Sequence, residues 1–210
     1  KEKIENLGLS LRQKDRNTDL LYLSVESPRT PSETYLYNLK TNKKKLVKKQ
    51  EIPSGYNQNN YIVERLYCKA HDGEKIPITI IRHKKTKLNE NTNLLLYGYG
   101  SYGSSSGTGF STTRLSLINR DIVLATAHIR GGMERGMKWW KNGKMLKKKN
   151  TFKDYISAAN FLIRKKYTGK RKIIGFGGSA GGLLMGAAVN KAPELFLGII
   201  MAVPFVDPLT

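Results

Sequence analysis

The residues best suited to covalent chemistry are those of Gly175-Phe176-Gly177-Gly178-Ser179-Ala180-Gly181-Gly182, a run that places a serine inside Gly-x-Ser-x-Gly. A hydroxyl can act as a nucleophile when a sharp turn lifts it clear of the backbone and a neighbouring amide faces the oxyanion formed by its attack. Such a turn crowds its own backbone, so Gly177, Gly178 and Gly181 are expected to be glycine for steric reasons. The amide of Ala180 is the first expected oxyanion donor. A glycine run can also cradle phosphate at a helix N-terminus or simply make a tight turn. A P-loop, however, needs Gly-Lys-Ser/Thr, and this segment lacks it.

To present its hydroxyl in this way, Ser179 must stand between a strand and a helix. The apolar run 171–176 predicts a short buried strand, and 183–191 predicts a helix that stops before Pro193. This context is the nucleophile elbow of an α/β-hydrolase, a fold whose triad runs Ser, then Asp or Glu, then His. No histidine follows Ser179, because His71, His83 and His128 all precede it. Without an adjacent base a serine hydroxyl is a weak nucleophile. The expectation is therefore a fragment, or chemistry left unfinished. His128 is expected to pack or hydrogen-bond rather than to act as the base.

Five separated blocks extend the pattern. They are Leu94-Leu95-Leu96-Tyr97-Gly98-Tyr99-Gly100-Ser101-Tyr102-Gly103, Ala127-His128-Ile129-Arg130-Gly131-Gly132, Asn150-Thr151-Phe152-Lys153-Asp154-Tyr155, the elbow itself, and Val203-Pro204-Phe205-Val206-Asp207. In order and spacing they resemble the prolyl oligopeptidase family, and within it the oligopeptidase B branch, also called protease II. Pro28-Arg29-Thr30-Pro31-Ser32-Glu33-Thr34-Tyr35 and Glu64-Arg65-Leu66-Tyr67 carry the resemblance toward the N-terminus.

The resemblance implies a serine peptidase in which a seven-bladed β-propeller caps an α/β-hydrolase domain. This chain would hold the end of the propeller in residues 1–52, a linker at 53–60, and the first two-thirds of the hydrolase domain in 61–210. By the same resemblance Tyr99 joins the Ala180 amide in the oxyanion hole, and Tyr102 lines the primary specificity pocket. The catalytic Asp and His would lie beyond residue 210, which leaves Asp207 a structural acid. Cleavage of short peptides after Arg or Lys is likewise implied by resemblance. Where the family carries a third glycine, this chain has Met133, and Arg130 and Glu134 are expected to pair across that loop. An esterase or lipase on the same fold, and a catalytically dead remnant or basic binding module, are the alternative readings.

Composition sets further bounds. At 210 residues and 39% hydrophobic, the chain can bury one domain core with a small appendage. No apolar run is long enough to span a membrane. The net charge of +21 would suit nucleic acid, but the lysines are spread over separate clusters at 43–49, 84–87, 147–149 and 165–166 without interleaved aromatics. No nucleic-acid partner is expected. Residues 1–6 are too polar for a secretory signal, and the single Cys68 suits a reducing compartment, so a cytoplasmic location is expected. No metal or organic cofactor is implied.

The positioning elements follow from periodicity. Strands are predicted at 19–25, 34–39 and 44–48, the last two joined by a polar turn, as part of one propeller blade. Beyond the linker come strands at 61–70, 76–82, 94–97 and 121–127 and a short helix near 112–119. A longer helix at 152–166 should bury Phe152, Tyr155, Ile156, Ala159, Leu162 and Ile163 on one stripe. Residues 197–203 read as one more fully buried strand, and the whole as an α/β-hydrolase fold with a mostly parallel sheet. Ending at that apolar strand, the chain on its own is expected to self-associate or to need the segment that follows.

Overall fold

The structure, a computed structural model, describes residues 8–12, 15, 17–107 and 109–207. The polar opening 1–6 and part of the small-residue loop 104–109 lie outside the described residues.

The N-terminal part is an antiparallel meander of β1 (Gly8–Arg12), β2 (Leu20–Ser27), β3 (Thr30–Asn38) and β4 (Lys44–Lys49), hydrogen-bonded in that order. This four-stranded sheet fits a propeller blade. The β3–β4 turn is held by the Asn38 side chain, whose Oδ1 accepts from the amides of Lys40 and Thr41 at 2.9 Å each. Strand β1 was not among the predicted strands. Its alternation covers only five residues, too few to separate a strand from a loop.

Between the sheets, Tyr56 stacks on Tyr61 at 5.1 Å between ring centroids and donates its hydroxyl to the Arg29 carbonyl at 2.6 Å. That one side chain touches both sheets.

The second sheet contains β5 (Tyr61–Lys69), β6 (Lys75–His83), β7 (Leu94–Tyr97), β8 (Val123–Ala127), β9 (Ile173–Gly178) and β10 (Phe196–Ala202), in the order β10-β9-β7-β8-β6-β5. The run from β10 to β8 is parallel, whereas β6 is antiparallel to β8 and β5 to β6. The sheet is therefore mixed, with a parallel part that carries the elbow. Side-chain alternation splits it into two faces. Leu94, Leu96, Val123, Ala125 and Ile173 pack under α3 (Lys149–Arg164) and α4 (Ala180–Lys191), while Ile81 and Leu124 meet α1 (Thr112–Ile118) through Leu115 and Ile118. A one-turn helix, α2 (Met137–Lys141), buries Trp139.

Three expectations need correction. Helix α3 starts three residues earlier than predicted, and its buried stripe is Thr151, Asp154, Tyr155, Ala158, Ala159 and Leu162. Phe152, Ile156 and Ile163 are only partly buried, because Thr151 and Asp154 turn inward to bond the 129–131 loop. The strand at 196–202 is an edge rather than a buried strand: Leu197 is 60% exposed and Ile200 and Met201 are exposed as well. Cys68, a strand residue of β5 read from sequence as half-buried, is fully buried, and burial pushes its thiol up to about 12.

Candidate active site

Ser179 sits where β9 passes into α4, with φ 54° and ψ −120°. A positive φ is costly for a residue with a Cβ and persists only when the surroundings hold it. Here the amide of Ser179 donates to the Ala202 carbonyl at 2.9 Å, and its carbonyl accepts from Gly182 at 2.8 Å and Phe205 at 3.0 Å. The side chain is exposed.

The flanking glycines differ in their reasons. A Cβ added at Gly177 would lie 2.2 Å from the Gly181 carbonyl oxygen, and one at Gly181 would lie 2.9 Å from the Gly98 carbonyl oxygen. At Gly178 the nearest atom would be 3.5 Å away, ordinary contact, so the expected steric need for glycine does not hold there.

Ala180 is the first residue of α4, so its amide has no intrahelical acceptor and lies at the positive end of the helix. Tyr99 reaches the same place from β7. The Gly98 amide donates to the Phe176 carbonyl at 3.1 Å, which ties the start of the 98–103 loop to β9. The Tyr99 ring is half-buried, 3.4 Å from where a Gly181 Cβ would stand. Ser179, Ala180 and Tyr99 thus meet at the ends of adjacent strands, the usual ligand position in an open α/β sheet. Tyr102 is 73% exposed and has φ 56°. Within the described residues it stands in solvent rather than in a cavity wall.

The histidine nearest in pattern does not serve as the base. His128 is buried, its Nε2 is 2.7 Å from the Thr79 hydroxyl, and its Nδ1 faces Glu134 at 3.5 Å. Burial lowers its pKa, with Glu134 opposing, so the ring is held neutral.

The expected Arg130–Glu134 pair is absent. Glu134 instead accepts from the Ser106 amide at 2.8 Å, while Arg130 turns inward to two other acids. Its Nε and Nη2 donate to Asp154 at 2.8 and 2.6 Å, its Nη1 donates to Asp72 at 2.5 Å, and its guanidinium lies 5.7 Å from the Trp139 ring centre. Burial works against the guanidinium charge, but the two carboxylates more than offset it and raise its pKa. The hydrogen bond from Arg130 holds the Asp72 carboxyl below the usual range, whereas burial pushes Asp154 up against the same donor. Met133 is not at positive φ, so the backbone there does not call for a third glycine.

The sequence reading missed this network and also Lys148, whose ammonium donates to the Gly100 carbonyl at 2.7 Å and the Ser101 hydroxyl at 2.6 Å. The basic run 147–149 gives no sign of which lysine turns inward. Among the described residues, no group of three His, Cys, Asp or Glu side chains is arranged to hold a metal, and no helix is long and apolar enough to cross a membrane.

Comparison with known proteins agrees with this geometry. Residues 108–210 match the model of the prolyl oligopeptidase family. The chain is 43% identical over its full length to dipeptidyl aminopeptidase BI of Pseudoxanthomonas mexicana, and 42% identical over 95% of its length to protease 2 of Moraxella lacunata. It spans 29% of the length of each relative. Oligopeptidase B from Leishmania major superposes with a TM-score of 0.89 at 38% identity, over 96% of this chain and 28% of that one. The closed form of Trypanosoma brucei oligopeptidase B with covalently bound antipain gives a TM-score of 0.90 at 36% identity, over 96% of this chain and 29% of that one. On this sequence identity and these superpositions, the chain belongs to the prolyl oligopeptidase family.

Proposed function

We propose that this chain carries the nucleophile and oxyanion hole of an oligopeptidase B-like serine peptidase, which hydrolyses short peptides after basic residues through an acyl-enzyme. The observation that carries the reading is the Ser179 backbone, held at positive φ with its side chain exposed beside the first amide of α4 and the Tyr99 ring. The Ser179 hydroxyl attacks the scissile carbonyl carbon and gives its proton to a base. The Ala180 amide and the Tyr99 hydroxyl hold the developing oxyanion. The C–N bond then breaks, the amine leaves with a proton from the same base, and water releases the acyl group. The burial of His128 supports a base and an acid supplied from outside the described residues, as does the resemblance.

The preference for basic residues rests on similarity to oligopeptidase B, and Tyr102 is assigned to its pocket on the same basis. A cytoplasmic location is proposed from the single, buried Cys68. We also propose that the 210-residue chain self-associates through β10, or pairs there with a following segment of the whole protein; the exposed apolar side chains of that edge support this.

The test is made on the complete protein. A fluorophosphonate probe should label it, Ser179→Ala should abolish labelling and peptide turnover, and Tyr99→Phe should lower kcat by about 100-fold with little change in KM. A substrate panel in which esters are cleaved and basic peptides are not would replace the peptidase reading with an esterase. The 210-residue chain alone should turn over a basic peptide reporter at least about 10⁴-fold more slowly than the complete protein. Efficient turnover by the short chain, lost in Ser179→Ala, would show that its base lies within these residues.

A further inference from the structure

The loop that carries Tyr99 is held from outside by one partly buried cation. Gly100 has φ +64° and is enclosed on all sides: a Cβ there would lie 2.5 Å from the Thr151 methyl, 2.8 Å from Ile129 and 2.9 Å from the Arg130 carbonyl. Its carbonyl and the buried Ser101 hydroxyl both accept from Lys148 Nζ, at 2.7 and 2.6 Å. Lys148 is the N-cap residue of α3, so its ammonium ties the start of that helix to the loop. At the loop's other end, the Gly103 amide donates to the Gly131 carbonyl at 2.9 Å. Tyr99 stands between the Gly98 amide, fixed to Phe176, and the carbonyl that Lys148 holds.

We propose that Lys148 is a positioning residue for the oxyanion hole: by holding the Gly100 carbonyl and the Ser101 hydroxyl, its ammonium fixes the backbone that aims the Tyr99 hydroxyl at the reacting carbonyl. The inference rests on the reading of Tyr99 as an oxyanion donor. Oxyanion stabilisation depends on donors already in place before charge develops, so a loop free to rotate loses rate without losing substrate affinity. Burial drops the lysine amine to about 8, as expected for a cation removed from water for a structural task. Methionine fills the same stem volume and donates nothing, and arginine is too wide a fork to replace a point donor between two close acceptors.

The test is a double-mutant cycle in the complete protein, read as kcat and KM on a basic peptide reporter. Lys148→Met is expected to lower kcat by about 10- to 50-fold with KM changed less than about threefold, a fraction of the ~100- to 1,000-fold effect of a whole oxyanion donor. Added to Tyr99→Phe, it should cost less than about twofold more, since the hydroxyl it aims is already gone. Losses that multiply, or parental kcat in Lys148→Met, would overturn the role. If Tyr99→Phe alone is as fast as the parent, the oxyanion reading falls and the Lys148 role falls with it. If Tyr99→Phe is slow and Lys148→Met multiplies it, only the Lys148 role falls. Should Lys148→Met fail to unfold cooperatively, Ser101→Ala removes one of the two acceptors with almost no change in volume. It is expected to lower kcat about two- to fivefold in the parent and not at all in Tyr99→Phe, and any other pattern overturns the proposal.

Discussion

Gly177 and Gly178 are neighbours with opposite tolerances. Gly177→Ala drives a methyl into the Gly181 carbonyl at 2.2 Å, and backbone cannot give way as a flexible side chain can. It should destabilise the chain by about 1–3 kcal/mol or more, read from urea unfolding, whereas Gly178→Ala should change the unfolding free energy by less than about 0.5 kcal/mol. Equal midpoints for the two variants would mean the elbow is looser than its contacts indicate. Lys148 gives a pH signature at the same scale. Its amine falls from 10.5 to about 8 on folding, so between those values the unfolded chain binds the extra proton and stability rises with pH. The cost of burying the charge is fully present below about pH 8. The stability of the parent relative to Lys148→Met should therefore climb between about pH 8 and 10; a flat difference would place the amine in solvent. The turn at Ser179 and the crowding at Gly177 and Gly181 are legible in sequence because turn sterics act over a few residues, while the open space at Gly178 is not. Lys148 is not, since three consecutive lysines look alike until tertiary packing chooses one.

Helix α3 supplies more than a hydrophobic face. Asp154 on it receives the Arg130 side chain and, at 3.1 Å, the Arg130 amide, while Thr151 donates to the Arg130 carbonyl at 2.7 Å. One helix turn thus holds the loop after β8 by both backbone and side chain. Asp154→Ala would leave a buried guanidinium with Asp72 alone, and breaking a buried pair in this way typically costs about 3–5 kcal/mol. A matched apolar change of Arg130 and Asp154 together should cost less than the sum of the single changes, measured by thermal or urea unfolding. Additive losses would argue that the two side chains act separately. Periodicity located this helix and its buried Tyr155, Ala159 and Leu162, but chose Phe152, Ile156 and Ile163 over Thr151 and Asp154 because they outrank them in hydrophobicity. The polar pair goes inside since a buried arginine demands it, and no local pattern records that demand. Strand β10 failed the other way: its apolar run promised burial on both faces, and the structure leaves most of it exposed.

At the scale of the whole molecule, two sheet edges are treated differently. Lys44, Lys45, Lys48 and Lys49 lie along β4, so part of the positive charge guards an exposed strand edge. At the other edge, β10 offers Leu197, Ile200 and Met201 with no charge among its seven residues. The 210-residue chain should associate with rising concentration in sedimentation, and Leu197→Lys with Ile200→Lys should weaken that association; an unchanged monomer in both would remove β10 as an adhesive edge. The parallel pairing of the strands from β7 onward was readable because strands alternating with helices imply a parallel, wound sheet. The meander-to-sheet contact through Tyr56 was not, since it depends on a carbonyl 27 residues away. One consequence concerns the order in which the protein is made. The angle of Ser179 is fixed by bonds to Ala202 and Phe205, residues synthesised more than twenty positions later. A nascent chain therefore exposes Ser179 well before the bonds that fix its backbone can form. Until Phe205 has emerged and folded back, the turn that presents the hydroxyl lacks its outer support.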